Sequence, residues 1–234
     1  MGKRKRRSDY GQVQVSDRDI FAFTWIAQQY AIRLDALHLL LEHYNQGQGK
    51  QDTLTAHAIK KAVRRWRQAG WVEVKKIIAG DPRWLYLSKA GLAYFGLDFP
   101  YYTPSLSKLP HIHQANVVRL FIEARHGQAI AWHSERVLRK QRDKEDSRHL
   151  PDAEVVYQGT TIAIEVELSR KESGRLRAIL NELKAEYGAA WYFVSQTCQD
   201  AVEEAVQQIP NHQYVFRVYS LSAIVGSLWR TTRT

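Results

Sequence analysis

The stretch from Thr161 to Leu168, TIAIEVEL, places Ile164, Val166 and Leu168 at alternate positions and fills the gaps with Ala163, Glu165 and Glu167. A side-chain period of two belongs to a strand, so the acids share one face and the aliphatics the other. The preceding run Ala153–Tyr157 is also rich in β-branched residues, and Gln158-Gly159-Thr160 between the two reads as a hairpin turn. Two carboxylates then stand side by side on a strand with a greasy back, and Asp152 enters at the mouth of the adjoining strand. Three converging carboxylates repel one another and raise each other's pKa unless a hard cation or basic side chains offset them.

A second feature lies upstream. The sequence TAHAIKKAVRRWRQAG, residues 55–70, puts Ile59, Val63 and Trp66 on one helical face and Lys60, Lys61, Arg64, Arg65 and Arg67 around the rest. Five cations in eight positions with no acid among them lack the intrahelical pairing of a neutral solvated face. Gly70 ends this helix. Before it come a helix from Ser16, with Ser16 and Asp19 as a capping box, and a second helix over Ala31–Tyr44. After it come Trp71–Ile77, a turn at Gly80-Asp81-Pro82, and Trp84–Leu87, a hairpin of wing dimensions.

Charge is divided unevenly along the 234 residues. Residues 1–110 carry 18 Lys and Arg against 9 Asp and Glu, whereas residues 111–234 carry 16 against 15, so +9 of the net +10 sits in the first half. Such an excess expects a polyanionic partner. The single cysteine, Cys198, excludes an internal disulfide and a thiolate zinc cluster, and fits a reducing, cytoplasmic setting. No apolar run reaches the length of a membrane helix, so no membrane partner is expected. The start MGKRKRR is followed by polar residues and reads as a phosphate-seeking arm or a solvated tail.

The chain divides as a basic flexible arm (1–15), a first domain (16–98), a proline-bearing linker (99–110) and a second domain (111–234). In the second domain we expect helices over His111–Arg125 and Trp132–Arg142, a charged loop over Gln141–His149 and the acidic hairpin. Then follow a helix over Ser173–Tyr187, strands over Trp191–Ser195 and Tyr214–Ser220 with a helix over Ala201–Gln208 between them, and a closing helix over Ser222–Trp229. His111 and His113 are read as polar residues at a helix start, because no cysteine or further histidine stands at zinc-ligand spacing. Arg142, Lys144, Arg148 and His149 are placed to grip a phosphate backbone.

The order of three helices and a hairpin resembles the winged helix-turn-helix, with Trp66-Arg67-Gln68-Ala69-Gly70-Trp71 and Leu87-Ser88-Lys89-Ala90-Gly91 at its signature positions. A major groove admits one such helix. Thr55, His57, Ala58 and Lys61 are candidate base contacts. Lys60, Arg64, Arg65, Arg67, Lys75, Lys76 and Arg83 are candidate phosphate contacts. The order Pro-Asp, hairpin turn and Glu-x-Glu resembles the metal-binding core of the PD-(D/E)xK nucleases. The wider segment, from His113 through Trp132, Glu135, Pro151-Asp152 and Ile164-Glu165-Val166 to Lys184 and Tyr187, resembles the replication-relaxation family of plasmids and other mobile elements.

These resemblances imply a mixed α+β or α/β chain with an N-terminal winged helix-turn-helix and a C-terminal restriction-endonuclease-like αβ domain. They imply Asp152 and Glu165 as ligands of Mg²⁺ or Mn²⁺, with Glu135 a third and no organic cofactor. Glu167 stands where the superfamily usually has lysine, so Lys171 or Lys184 would supply the base. The competing readings are an ion pair of Glu135 with Arg139, and a solvated strand face in which Glu165 and Glu167 pair with Arg170, Arg175 or Arg177. Three functions stay open. One is a double-stranded-DNA-binding protein of a mobile element, acting with replication or mobile-element proteins. The others are a metal-dependent endonuclease and a repressor whose second domain forms a homodimer.

Overall fold

The computed structural model describes residues 14–50, 53–127, 130–143 and 145–231. Lys144 and nearly all of the basic arm expected over residues 1–15 lie outside the described residues. The described chain is a mixed α and β structure with a small three-stranded sheet and a larger five-stranded one.

Helix α1 (Asp17–Gln28) starts at the expected capping box: Ser16 N donates to Asp19 Oδ2 at 3.0 Å and Asp19 N to Ser16 Oγ at 3.3 Å. The next helix begins later than its hydrophobic pattern suggests. Ile32–Arg33 is extended as β1, and only then does α2 (Leu34–Gly47) follow. Its cause is tertiary, since Ile32 and Arg33 pair antiparallel with Leu85 and Trp84. Helix α3 (Ala56–Gln68) is capped by Thr55, whose hydroxyl accepts from Ala58 N at 3.2 Å. Strands β2 (Val72–Lys75) and β3 (Trp84–Leu87) form the hairpin, in sheet order β1-β3-β2, and α4 (Lys89–Tyr94) closes the unit.

Gly91 is where α4 meets the hairpin. A Cβ there would stand 2.0 Å from the carbonyl oxygen of Trp71, so only glycine permits the approach. Ser88 completes the joint by donating to Gly70 O at 2.6 Å and accepting from Gly91 N at 2.9 Å.

Leu109 and Pro110, expected in the linker, already belong to α5 (Leu109–His126). The segment expected to be helical from Trp132 is instead a strand, β4 (Ile130–Ser134), and the helix, α6 (Glu135–Gln141), is short. Strands β5 (Ala153–Tyr157) and β6 (Thr160–Glu167) form the acidic hairpin around Gln158 and Gly159, both at positive φ, the geometry of a tight two-residue turn. Then come α7 (Ser173–Glu186), β7 (Ala189–Val194), α8 (Gln199–Gln207), α9 (His212–Val215), β8 (Phe216–Ser220) and α10 (Leu221–Thr231). Sheet order is β4-β5-β6-β7-β8, antiparallel as far as β6 and parallel from there.

The alternation in β6 is resolved as expected, but both faces are covered. Ile162, Ile164 and Val166 share a core with Val117 and Val118 of α5 and Ile224 of α10. Ala163 packs with Leu176, Leu180 and Leu183 of α7. The first of these cores runs on without interruption into the first half of the chain, through Phe23, Leu37 and Trp66. Polar ties reinforce it. Asn116 Nδ2 donates to Ala31 O at 2.8 Å, Ser134 Oγ to Gln28 O at 2.8 Å, and the buried Arg119 bonds Gln28 and Glu123 while lying over the Trp25 ring.

Candidate functional site

A cleft of about 1010 Å³ opens where the acidic hairpin, the start of α5 and the end of α1 meet. Asp152, Glu165, Glu167 and Glu135 all line it, together with His111, His149 and Lys171. The hairpin register brings the first two acids together. Asp152 Oδ2 accepts from Val166 N at 2.8 Å, the residue next to Glu165, which fixes the Asp152 carboxylate against β6.

Each acid is turned toward a base. His111 Nε2 donates to Asp152 Oδ1 at 2.8 Å and His149 Nε2 to Glu165 Oε1 at 2.7 Å. Lys171 pairs with Glu167, and Arg139 and the Tyr30 hydroxyl with Glu135. The expected partners Arg170, Arg175 and Arg177 do not hold Glu165 or Glu167. Lys184 does not reach the cleft acids either, since its ammonium donates to Pro210 O at 2.5 Å. Among the described residues no three His, Cys, Asp or Glu side chains are gathered as a ready metal site.

Glu165 and Glu167 are only 4% and 5% exposed, so they are not the solvated face the sequence allowed. Burial raises the Glu165 pKa; the His149 hydrogen bond opposes this and the Asp152 charge adds to it. Burial alone would lower His111, yet the hydrogen bond and charge of Asp152 outweigh it and hold the imidazole above its usual range. His149 is raised against the same opposition by Glu165. The cleft is thus a set of acids carrying their own counter-ions. Its carboxylate donors suit a hard divalent ion in kind, and an ion on Asp152 and Glu165 would compete with His111 and His149 for the same two carboxylates.

The charged loop before the hairpin is tied to itself and to α7. Arg142 pairs with Asp146 at 2.9 Å and Glu186 at 3.5 Å, and donates to the carbonyls of Arg148 and His149; Arg148 pairs with the same two acids. His149 N donates to Glu182 at 2.7 Å, which anchors the imidazole at the cleft. Arg142, Arg148 and His149, read from the sequence as phosphate grips, here position the loop. Tyr187 bonds Glu154 at 2.6 Å, away from the acids.

The second candidate surface is α3. Ile59, Val63 and Trp66 are buried as expected, and Thr55, His57, Lys60, Lys61, Arg64 and Arg67 are exposed. Among the described residues no carboxylate pairs with Lys60, Lys61, Arg64 or Arg67. Arg65 differs: its guanidinium bonds both oxygens of Asp19, a fully buried carboxylate that also accepts from Trp66 Nε1 at 2.8 Å. On the hairpin, Lys75 is exposed but leans on Glu73 and the Tyr86 ring, Lys76 donates to Asp81 O at 2.6 Å, and Arg83 is exposed.

Sequence reasoning passed over His111 as a member of the cleft, Tyr30 altogether, and Asp19 as anything beyond the cap of α1. The sequence carries no local sign of these pairings, because the partners lie 41 to 105 positions away. No family model, curated protein or solved structure matches this chain.

Proposed function

We propose that this chain is a DNA-binding protein of the replication-relaxation type, serving a plasmid or other mobile element. In this reading α3 and the β2–β3 hairpin act as a winged helix on a duplex, and the five-stranded half is nuclease-like. The observation that carries it is the face of α3. Lys60, Lys61, Arg64 and Arg67 stand exposed without acid partners among the described residues, over a buried Ile59, Val63 and Trp66 stripe that fixes their direction. A phosphate backbone supplies the missing counter-charge, and Thr55 and His57 at the helix start are the residues that would reach base edges. Fluorescence anisotropy with a labelled duplex, over a series of salt concentrations, tests it. Binding should weaken steeply with salt, and a salt-independent or absent signal would sink the reading.

A second reading has its own observation: Asp152, just ahead of β5, and Glu165, on the neighbouring β6, line one cleft. Here they would hold Mg²⁺ or Mn²⁺, which when bound supplies a Lewis acid for phosphodiester hydrolysis. Lys171, already at the cleft beside Glu167, would steady charge developing on the phosphate. His149 would take up or release a proton at Nε2 as Glu165 changes partner. Supercoiled plasmid incubated with the protein and Mn²⁺, with and without chelator, separates cutting from binding alone.

A further inference from the structure

Beside the acidic cleft, and sharing Tyr30, Tyr102 and Arg139 with it, lies a second cleft of about 380 Å³. Its walls are mostly aromatic and cationic, with Tyr30, Phe99, Tyr102, Arg136, Arg139 and Lys140, and Asp98 is the one acid among its lining residues. Three observations set it apart from ordinary core. The aromatic rings are only partly covered, and Tyr30 and Tyr102 meet at a tilt of 57° with centroids 4.8 Å apart. Tyr30 also holds a positive φ of 68°, a strained conformation for a tyrosine, and its hydroxyl bonds Glu135 of the acidic cleft. Arg136 is 7% exposed, yet its guanidinium bonds only the carbonyls of Ala27 and Pro100 and lies over the Tyr30 and Phe99 rings at 4.8 and 4.9 Å. Among the described residues no carboxylate pairs with it, so a buried positive charge stands uncompensated by any acid.

Flat aromatic faces for stacking, a buried guanidinium without an anion, and a volume within the range of small-ligand clefts together describe one ligand chemistry. We propose that this cleft is a subsite for a single unstacked nucleotide, its base against Tyr102 and Phe99 and its phosphate toward Arg136 and Arg139. The inference rests on the nucleic-acid reading above and extends it from duplex to single strand. A strand whose base enters here runs past Tyr30 and Glu135 into the acidic cleft, which gives the two clefts one substrate. Lys140, now paired with Asp98, adds a cation at the outer rim.

The experiment uses the full chain in chelator, with a fluorescein-labelled oligothymidylate single strand, a labelled duplex and unlabelled thymidine monophosphate as competitor. Wild type should bind the single strand. Tyr102→Leu should weaken it about tenfold, within the ~1–3 kcal/mol that stacking one base is worth, while Tyr102→Trp retains it and all three bind duplex alike. Phe99→Leu gives the same readout should Tyr102→Leu fail to fold. Competition by the monophosphate, lost in Tyr102→Leu, assigns the subsite to free nucleotides as well as to strands. Absence of single-strand binding in wild type, or equal single-strand affinity in the wild type and both leucine variants, overturns the subsite. A collapse of duplex binding in Arg64→Ala with single-strand binding intact bears on α3 alone, and duplex binding absent from wild type while the single strand still binds defeats the winged-helix reading and spares the subsite.

Discussion

The guanidinium of Arg65 lies 2.5 Å from both carboxylate oxygens of Asp19, 46 positions earlier in the chain. Asp19 is fully buried, caps α1 through Ser16 and accepts from the Trp66 indole, so a single carboxylate fastens α1 to α3.

Removing the guanidinium leaves that buried charge unmatched. Arg65→Ala is therefore expected to cost about 2–3 kcal/mol of stability in urea denaturation, somewhat below a fully buried pair because Arg65 keeps part of its side chain in water.

Its neighbour behaves differently. Arg64→Ala should leave the denaturation midpoint unchanged and reduce duplex affinity similarly across sequences, with the salt slope falling by about one for each phosphate that is no longer neutralised. An unchanged slope would show that α3 does not face the duplex.

His113 gives the stability curve a definite shape on the acid side. It is buried beneath the Trp84 ring, and burial, helped by Arg33 and opposed by Asp35 and Asp81, lowers its pKa to about 4. The unfolded chain then binds more protons than the folded one between the ordinary histidine value and that lowered one. Stability is present above the unfolded pKa and is lost as pH falls from roughly 6.5 toward 4. Thermal melts over this window should show a decline that shrinks in His113→Gln.

Gly91→Ala tests the α4 joint. The added methyl meets the Trp71 carbonyl, a backbone atom that cannot step aside, and the expected loss is about 1–3 kcal/mol or more. Circular dichroism on heating would record it, and an unchanged melting temperature would contradict the close approach.

In the nuclease reading, Asp152→Asn and Glu165→Gln should each reduce Mn²⁺-dependent plasmid nicking to background while duplex affinity by anisotropy stays at the wild-type level. Nicking that survives both changes would place any cutting elsewhere.

Much of this was legible where the cause is local. The acidic hairpin follows from alternation and a Gln-Gly turn, the start of α1 from Ser16 and Asp19, and the buried face of α3 from the spacing of Ile59, Val63 and Trp66. What could not be read depends on distant partners. Strand β1 is two residues long and exists because β3 pairs with it, and β4 buries Ile130, Trp132 and Ser134 in alternation, a pattern that the apolar Ala131 and the polar Ser134 hide in the sequence. The same limit applies to side chains. Arg65 looks like one more cation until Asp19 meets it, and His111 like a helix-start residue until the fold brings Asp152 beside it.

Arg119, threaded between Trp25, Glu123 and Gln28, and Asn116, bonded to the Ala31 carbonyl, join the two halves through a buried seam. In the duplex-binding reading proposed above, a molecule built this way would act as a caliper. Any duplex held along α3 would meet the other jaw at a set number of base pairs, so spacing along the DNA would be measured by the protein's own rigidity.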